Sequence, residues 1–348
     1  MPKTGSTAIQ VFLTENRRAL NACGIFLPVT GTVRHAHNHR TLANAFAPRG
    51  HTPGLIAALA REIEAAGRPE RVLLTAENFS LNFSKPGYAG NLLRHCQTMG
   101  YRVQVIAYLR SQPAAINSRY CQTVKTWVHA ATLNEFAVED IRNGRHDYAA
   151  LFSTVLDRPD ISVSFRPFTR SHLMNGLVAD FLTAIGLGEQ DRQAFTQPRP
   201  INISHGPKTV AAWLELRRRI TLELPDVPRR LLIPIATPLG KIADALGWNE
   251  APFQGVNEAL HRGILDRFAA SNGAVAQLGW RKSWRDIFAA EEDAIRPLNL
   301  FDPAAAEAGE RAEFEDFIAD AMAFVRMIVT ANAAGGGSRG DGSLEGGD

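Results

Sequence analysis

Two segments of the chain carry residues that could hold phosphate groups, and the first is a short glycine-containing loop. Residues Pro2–Thr7 read PKTGST and lead directly into a predicted helix. A loop at the start of a helix offers backbone N–H groups and the positive end of the helix dipole, which together attract phosphate. Lys3 adds a full positive charge, and Ser6 and Thr7 add hydroxyl donors. The loop differs from the Walker A pattern GxxxxGKS/T, because its lysine precedes its glycine.

The second segment surrounds Arg110. Residues Tyr108–Pro113 read YLRSQP, and Ser118 follows Arg110 by eight residues. Arg110 falls at the carboxyl end of a predicted central strand, which is where open α/β sheets bind their ligands. Ser118 lies two turns into the next predicted helix, on a side that can meet the arginine. A guanidinium and a hydroxyl that converge there fit a second, separate phosphate.

Glu77 and the histidines near residue 37 are the candidate proton acceptors. Glu77 lies at the end of the strand that precedes the Arg110 strand, a position from which a carboxylate could act as a general base. The alternative is a surface carboxylate that caps a loop. His35, His37 and His39 alternate along the chain, and His37 or His39 is an alternative base. Ligands of one type in one loop rarely form a metal site, so no metal is expected.

The two phosphate-binding segments together resemble the cofactor signatures of sulfotransferases that use 3′-phosphoadenosine-5′-phosphosulfate (PAPS). Pro2–Thr7 resembles their PKxGxT loop, which holds the 5′-phosphosulfate. Tyr108–Ser118 is similar to their strand–Arg–Pro–helix–Ser element, which holds the 3′-phosphate. The chain order and the interval of eight residues between arginine and serine also match. The resemblance covers residues 1–125 and continues loosely through 165–187 and 267–279, where the pattern is similar to bacterial members.

This resemblance implies an enzyme that moves a sulfuryl group from PAPS to a hydroxyl or amine of a glycan, lipid or small-molecule acceptor. The reaction would be an in-line displacement without a metal, in which positioning and charge stabilisation provide most of the catalysis. Lys3 would also stabilise charge on the bridging oxygen, and Glu77 would take the proton. The cofactor-binding residues implied are Lys3, Thr4, Gly5, Ser6 and Thr7 for the 5′ end, and Arg110 and Ser118 for the 3′-phosphate.

Two other functions compete with this interpretation. A P-loop nucleotide kinase is disfavoured, because the chain lacks GxxxxGKS/T and a clear strand that ends in an aspartate for magnesium. One feature favours a second alternative, in which the protein is a non-catalytic relative that binds nucleotide or only retains the fold. In the sulfotransferase fold a central strand precedes the phosphosulfate loop, whereas here Met1 directly precedes Pro2. We expect an upstream start with roughly six to ten further residues; the alternative is a truncated chain with an impaired cofactor site.

The elements that must position these residues alternate between strands and helices. Strands are predicted at Ile25–Leu27, Val72–Ala76, Val103–Leu109 and Ile161–Phe165, with helices at 6–23, 53–66, 90–99 and 111–127. This order predicts an α/β fold, a P-loop-type parallel sheet flanked by helices, with a mostly helical C-terminal half that includes helices at 208–223, 256–271 and 303–332. We expect a PAPS-binding core over 1–186, a helical acceptor-side region of the same domain over 187–333 and a disordered glycine-rich tail over 334–348.

The composition excludes several classes of protein. The 348 residues carry a net charge of only +3, which does not indicate a nucleic-acid binder. No apolar run is long enough for a membrane span, and no signal peptide is visible, so a cytoplasmic location is expected. Cys23, Cys96 and Cys121 are widely spaced and show no CxxC pattern, so neither a zinc site nor a disulfide framework is indicated. The runs Arg217–Arg219 and Arg229–Arg230 are expected on a solvated face.

Overall fold

Helices dominate the molecule and two small parallel sheets accompany them. A computed structural model of the chain describes residues 1, 3–32, 37–48, 52–127, 131–196 and 204–335. Helices form 60% of the described residues, and the parallel sheets make the chain compatible with the α/β class. Within the described ranges, no helix combines the length and the apolar character needed to cross a membrane.

Each sheet contains two strands. β1 (Ile25–Phe26) pairs in parallel with β2 (Arg71–Val72), and β3 (Val103–Leu109) pairs in parallel with β4 (Ile161–Pro167). Parallel neighbours need a crossover connection, and helices supply it in both sheets. The predicted strands are therefore confirmed in position, although β2 is shorter than the predicted run. Its partner β1 offers only two residues for pairing.

The helices follow the predicted periodicity closely. In chain order they are α1 (Ser6–Glu15), α2 (Arg17–Ala22), α3 (Arg40–Ala45), α4 (Pro53–Ala65), α5 (Asn78–Asn82), α6 (Tyr88–Thr98), α7 (Gln112–Lys125), α8 (Leu133–Arg142), α9 (Tyr148–Leu156), α10 (Leu177–Ala184), α11 (Glu189–Arg192), α12 (Pro207–Glu223), α13 (Arg229–Leu232), α14 (Ala236–Ala245), α15 (Glu258–Trp280), α16 (Trp284–Asp293) and α17 (Ala308–Gly335), with a 3₁₀ turn at Ile233–Ile235. The prediction of one helix over 6–23 is wrong in one respect, because the helix is interrupted at Asn16, between α1 and α2. The Asn16 side-chain amide donates to the carbonyl of Phe12 at 3.0 Å and to that of Thr196 at 3.1 Å.

The chain forms two compact units. The first comprises Met1–Ile116, Ala137–Asn202 and Glu258–Ile295 and contains both sheets. Its core consists of two apolar clusters. Ala107 and Leu109 of β3 belong to one cluster, and Tyr108 belongs to the other. Successive side chains of a strand point to opposite faces, so β3 is covered on both faces, as in α/β proteins.

The second unit comprises Asn117–Phe136, Ile203–Asn257 and Arg296–Asp348 and is helical. Its core contains several aromatic contacts. The ring centroids of Trp127 and Trp213 lie 5.5 Å apart, and those of Trp248 and Phe317 lie 4.7 Å apart. The predicted scarcity of strands is confirmed in its described part, which has one isolated antiparallel bridge between Gln254 and Asn299. From residue 336 onwards the predicted tail lies outside the described residues.

Candidate functional site

The loop that precedes α1 contains two residues in left-handed backbone conformations. Lys3 and Gly5 both have left-handed backbone conformations, with φ of 62° and 74°. The Thr4 side chain is buried between them, and its hydroxyl donates to the Met1 carbonyl at 2.7 Å. No side chain caps α1, and no acidic residue lies in its first turn. The first N–H groups of α1 and the positive end of its dipole are therefore available to an anion at this turn.

Gly5 is favoured by its left-handed conformation, and it also packs closely against neighbouring side chains. A Cβ atom added at Gly5 would lie 2.2 Å from Cδ2 of Leu177 and 3.3 Å from Cε2 of Phe168. Phe168 directly follows β4, and Leu177 is the first residue of α10. The loop thus packs closely against the end of β4, and only glycine fits this position without a shift in its neighbours.

Arg110 lies directly after β3, and its guanidinium reaches the loop. Its Nη1 donates to the Lys3 carbonyl at 3.2 Å. The guanidinium carbon lies 5.7 Å from the centre of the Phe168 ring, which is within the range of a cation–π contact. The buried Tyr148 hydroxyl donates to the Arg110 carbonyl at 2.6 Å. The backbone and the guanidinium of Arg110 are therefore both held at the carboxyl end of β3.

Glu77 also lies at the loop. It precedes α5, and its Oε1 accepts a hydrogen bond from the hydroxyl of Ser6 in the first turn of α1. Glu77 and Ser6 are both half-buried, whereas Thr7 is exposed. The structure thus brings the Ser6 hydroxyl, the Glu77 carboxylate, the Arg110 guanidinium and the Lys3 backbone together at the loop before α1.

Ser118 lies on α7 and is half-buried. It belongs to the second compact unit, whereas Arg110 belongs to the first. The position of Ser118 on the helix after β3 agrees with the sequence prediction. Its pairing with Arg110 around a shared phosphate stays a prediction.

Of the three alternating histidines, His39 has a structural role, because both of its ring nitrogens contact backbone groups. Nε2 of the buried His39 lies 2.9 Å from the Pro28 carbonyl, and Nδ1 accepts from the Thr75 N–H at 3.1 Å. This pairing requires the neutral ring, and burial lowers the pKa of His39 below its ordinary value. His37 is exposed, and His35 lies outside the described residues. No group of three metal-binding side chains occurs in the part of the chain that the structure describes.

Two arginines of the basic run Arg217–Arg219 in the second unit form ion pairs with glutamates. Arg218 pairs with Glu215 at 2.7 Å, and Arg219 pairs with Glu315 at 2.6 Å. The exposed Arg218 and its neighbour thus form ion pairs on the surface, and the expectation of a solvated face agrees with this arrangement.

The sequence did not indicate Phe168, Leu177 or Tyr148 as part of the site. Phe168 and Leu177 lie after β4, so a prediction that β3 and β4 pair in parallel could have indicated that they lie near Arg110. Parallel neighbours end at the same edge of a sheet, which places the residues after β4 beside Arg110. Nothing in the local sequence of Tyr148 indicates that its hydroxyl reaches a carbonyl 38 residues away.

No family model, curated protein or solved structure matches the chain.

Proposed function

We propose that the chain is a sulfotransferase that binds PAPS and moves its sulfuryl group to a hydroxyl or amine of a glycan, lipid or small-molecule acceptor. The observation that carries the proposal is the hydrogen bond from Arg110 Nη1 to the Lys3 carbonyl. It joins two segments, 107 residues apart, whose sequences resemble the binding elements for the two ends of one cofactor. On this proposal the parallel strands belong to a P-loop-type sheet, and the protein acts in the cytoplasm.

The residues around the loop fit an anionic cofactor. Lys3 and Arg110 bring positive charge, and the uncapped start of α1 adds N–H groups in the same place. Phe168 presents an aromatic ring beside the Arg110 guanidinium. We assign the 5′ end of PAPS to Lys3, Thr4, Gly5, Ser6 and Thr7, and the 3′-phosphate to Arg110 and Ser118. Bound PAPS would supply the activated sulfuryl group, and the reaction would need no metal.

Glu77 would accept the proton that the acceptor hydroxyl or amine releases. Its carboxylate is held beside the loop, because Ser6 donates to one of its oxygens. A general base must lie within hydrogen-bond reach of the proton that it removes. The contact with Ser6 places one oxygen of this carboxylate at the first turn of α1, where we propose that the acceptor group is bound. Lys3 would stabilise the negative charge that develops on the bridging oxygen.

Replacement of Glu77 tests the proposed chemistry. We expect Glu77→Gln to reduce sulfuryl transfer from radiolabelled PAPS by about a hundredfold to ten-thousandfold, because the amide cannot accept the proton. The variant should still bind the product 3′,5′-bisphosphate (PAP), since the cationic groups remain. The assay would follow label transfer to a panel of glycans, lipids, phenols and amines.

Glu70→Gln is the matched control for this experiment. Glu70 is an exposed glutamate just before β2, at the opposite end of that strand from Glu77. The control should retain full transfer. Equal transfer by the wild type and Glu77→Gln would contradict the role of Glu77. PAP binding with no transfer to any acceptor by the wild type would favour a non-catalytic nucleotide-binding protein.

A further inference from the structure

The turn from β3 into α7 is held by buried polar side chains of other helices. The Arg110 carbonyl accepts from the Tyr148 hydroxyl on α9. The next residue, Ser111, donates its hydroxyl to Oε1 of Glu292 on α16 at 3.1 Å. Both side chains of this second contact are almost fully buried, with 3% of Ser111 and 5% of Glu292 exposed. The chain is therefore anchored at two consecutive residues, and one of them is Arg110.

The third residue of the turn, Gln112, is anchored by α15. Gln112 Nε2 donates to Asn272 Oδ1 at 2.5 Å, and Asn272 Nδ2 donates back to Gln112 Oε1 at 3.0 Å. Both side chains are buried. Each amide thus serves the other as donor and acceptor, which leaves neither dipole unpaired in the core. The start of α7 is fixed to α15 by this pair.

Trp284 joins the anchors of Arg110 and Ser111 into one cluster. Its indole N–H donates at 2.7 Å to Oε1 of Glu292, the same oxygen that accepts from Ser111. Its ring lies beside the Tyr148 ring, with the two centroids 6.0 Å apart. Loss of the Glu292 carboxyl would take this acceptor from two buried donors, and a buried donor without a partner is costly. Glu292 is therefore the acceptor on which this side of the turn depends.

The surroundings of Glu292 require an acceptor oxygen more than a charge. Burial raises the pKa of the Glu292 carboxyl above its ordinary value, although the hydrogen bonds from Trp284 and Ser111 lower it. Burial thus disfavours the charged form. Glutamine has the same shape and offers an acceptor oxygen without the charge. It is therefore a conservative replacement with which the role of this position can be tested.

We propose that Glu292 is a positioning residue for cofactor binding, which holds Ser111 and thereby keeps the adjacent Arg110 where its guanidinium meets the 3′-phosphate. The inference rests on the proposed function, in which Arg110 binds that phosphate. A charge-assisted hydrogen bond depends on distance and direction, so a small displacement of the arginine weakens it. In this role Glu292 acts through the Ser111 side chain and not by contact with the cofactor.

The role predicts a loss of affinity that is confined to the 3′-phosphate. PAP carries this phosphate and adenosine 5′-monophosphate (AMP) lacks it, so the ratio of their dissociation constants isolates the contribution of Arg110. We expect Glu292→Leu to raise the dissociation constant of PAP about tenfold and to leave that of AMP within about twofold. Glu292→Gln should bind PAP within about twofold of the wild type, because its amide oxygen can accept the same two hydrogen bonds.

Ser111→Ala removes the other partner of the same hydrogen bond and is a smaller change to the core. It should also weaken PAP binding selectively. The double variant should bind PAP no more weakly than Glu292→Leu alone, since residues that share one contact are not additive. Tyr88→Phe is the control for general destabilisation, because it removes a buried hydroxyl that donates to the Ala43 carbonyl at 2.5 Å elsewhere in the first unit. It should leave both dissociation constants unchanged.

Calorimetric titration of these proteins with PAP and AMP, under identical salt, decides between the outcomes. Unchanged PAP binding in folded Glu292→Leu and Ser111→Ala would overturn the positioning role. Equal losses for PAP and AMP, or a comparable loss in Tyr88→Phe, would also overturn it, since each indicates general destabilisation. So would a loss in Glu292→Gln as large as that in Glu292→Leu. A wild type that does not bind PAP would instead refute the proposed function, and the positioning role would fail with it.

Discussion

At the scale of single residues, Gly5 links the conformation of the loop to its packing. Its φ of 74° favours glycine, and its missing side chain leaves room for Leu177. We expect Gly5→Ala to lower the free energy of unfolding by about 1–2 kcal/mol for the left-handed backbone, with a further loss from the contact. Chemical denaturation measures both effects together.

Gly67→Ala separates the two effects. Gly67 has a φ of 77°, but nothing lies within 4 Å of an added Cβ. This control should lose only the conformational part of the stability. Equal losses in the two variants would show that the close approach of Leu177 to the loop does not constrain Gly5.

His39 gives the stability a dependence on pH. Burial lowers its pKa in the folded protein, whereas the unfolded chain binds a proton near the ordinary value of 6.5. Above this pH both states are neutral at His39 and the full stability is present. As the pH falls through 6.5, only the unfolded state gains the proton, so the free energy of unfolding decreases until the lowered pKa is passed. Denaturation of wild type and His39→Gln across about pH 5–8 should show this decrease in the wild type and a smaller one in the variant. Parallel curves for the two proteins would exclude His39 as its source.

At the scale of elements, the junction of β3 and α7 holds Arg110 in place. The Tyr148 hydroxyl on α9 donates to the Arg110 carbonyl. Its removal in Tyr148→Phe leaves that carbonyl without this donor, and we expect a loss of about 1–2 kcal/mol in stability. If Arg110 binds PAP, the dissociation constant should also rise about three- to tenfold, which corresponds to roughly 1 kcal/mol.

Tyr120→Phe is the control for this prediction. The Tyr120 hydroxyl donates to the Ala131 carbonyl at 3.0 Å in the second unit. The same atom is removed from a buried tyrosine, so a similar loss of stability is expected with unchanged PAP binding. An equal loss of PAP affinity in both variants would mean that general destabilisation, and not the position of Arg110, is responsible.

Much of the element order could be predicted from the sequence, because the signals are local. The apolar run Val103–Leu109 and the alternation near Ile161 identify β3 and β4, which lie where the sequence predicts them. The break at Asn16 could not be predicted, since it depends on a hydrogen bond to Thr196. The types of the candidate site residues could be predicted from motif spacing. The contacts of Ser6 with Glu77 and of Tyr148 with Arg110 join distant parts of the chain and needed the fold.

At the scale of the whole molecule, the first unit assembles the candidate site from elements far apart in sequence. The loop before α1, the end of β3 and the residues after β4 all meet there, because parallel strands end at one edge. The sequence order of strands and helices predicted such an edge. It could not predict that the four strands pair as two separate two-stranded sheets, since that depends on which strand edges meet.

Calorimetric titration with PAP tests the central claim most directly, with wild type, Arg110→Ala and Arg94→Ala compared under identical salt. Arg94 is an exposed arginine on α6 and serves as the matched control. We predict that the wild type and Arg94→Ala bind PAP in preference to Mg-ATP. Arg110→Ala should weaken PAP binding about ten- to hundredfold, as expected for the loss of a charge-assisted hydrogen bond. No binding of PAP by the wild type, or equal affinity in all three proteins, would contradict the assignment of this site to PAPS.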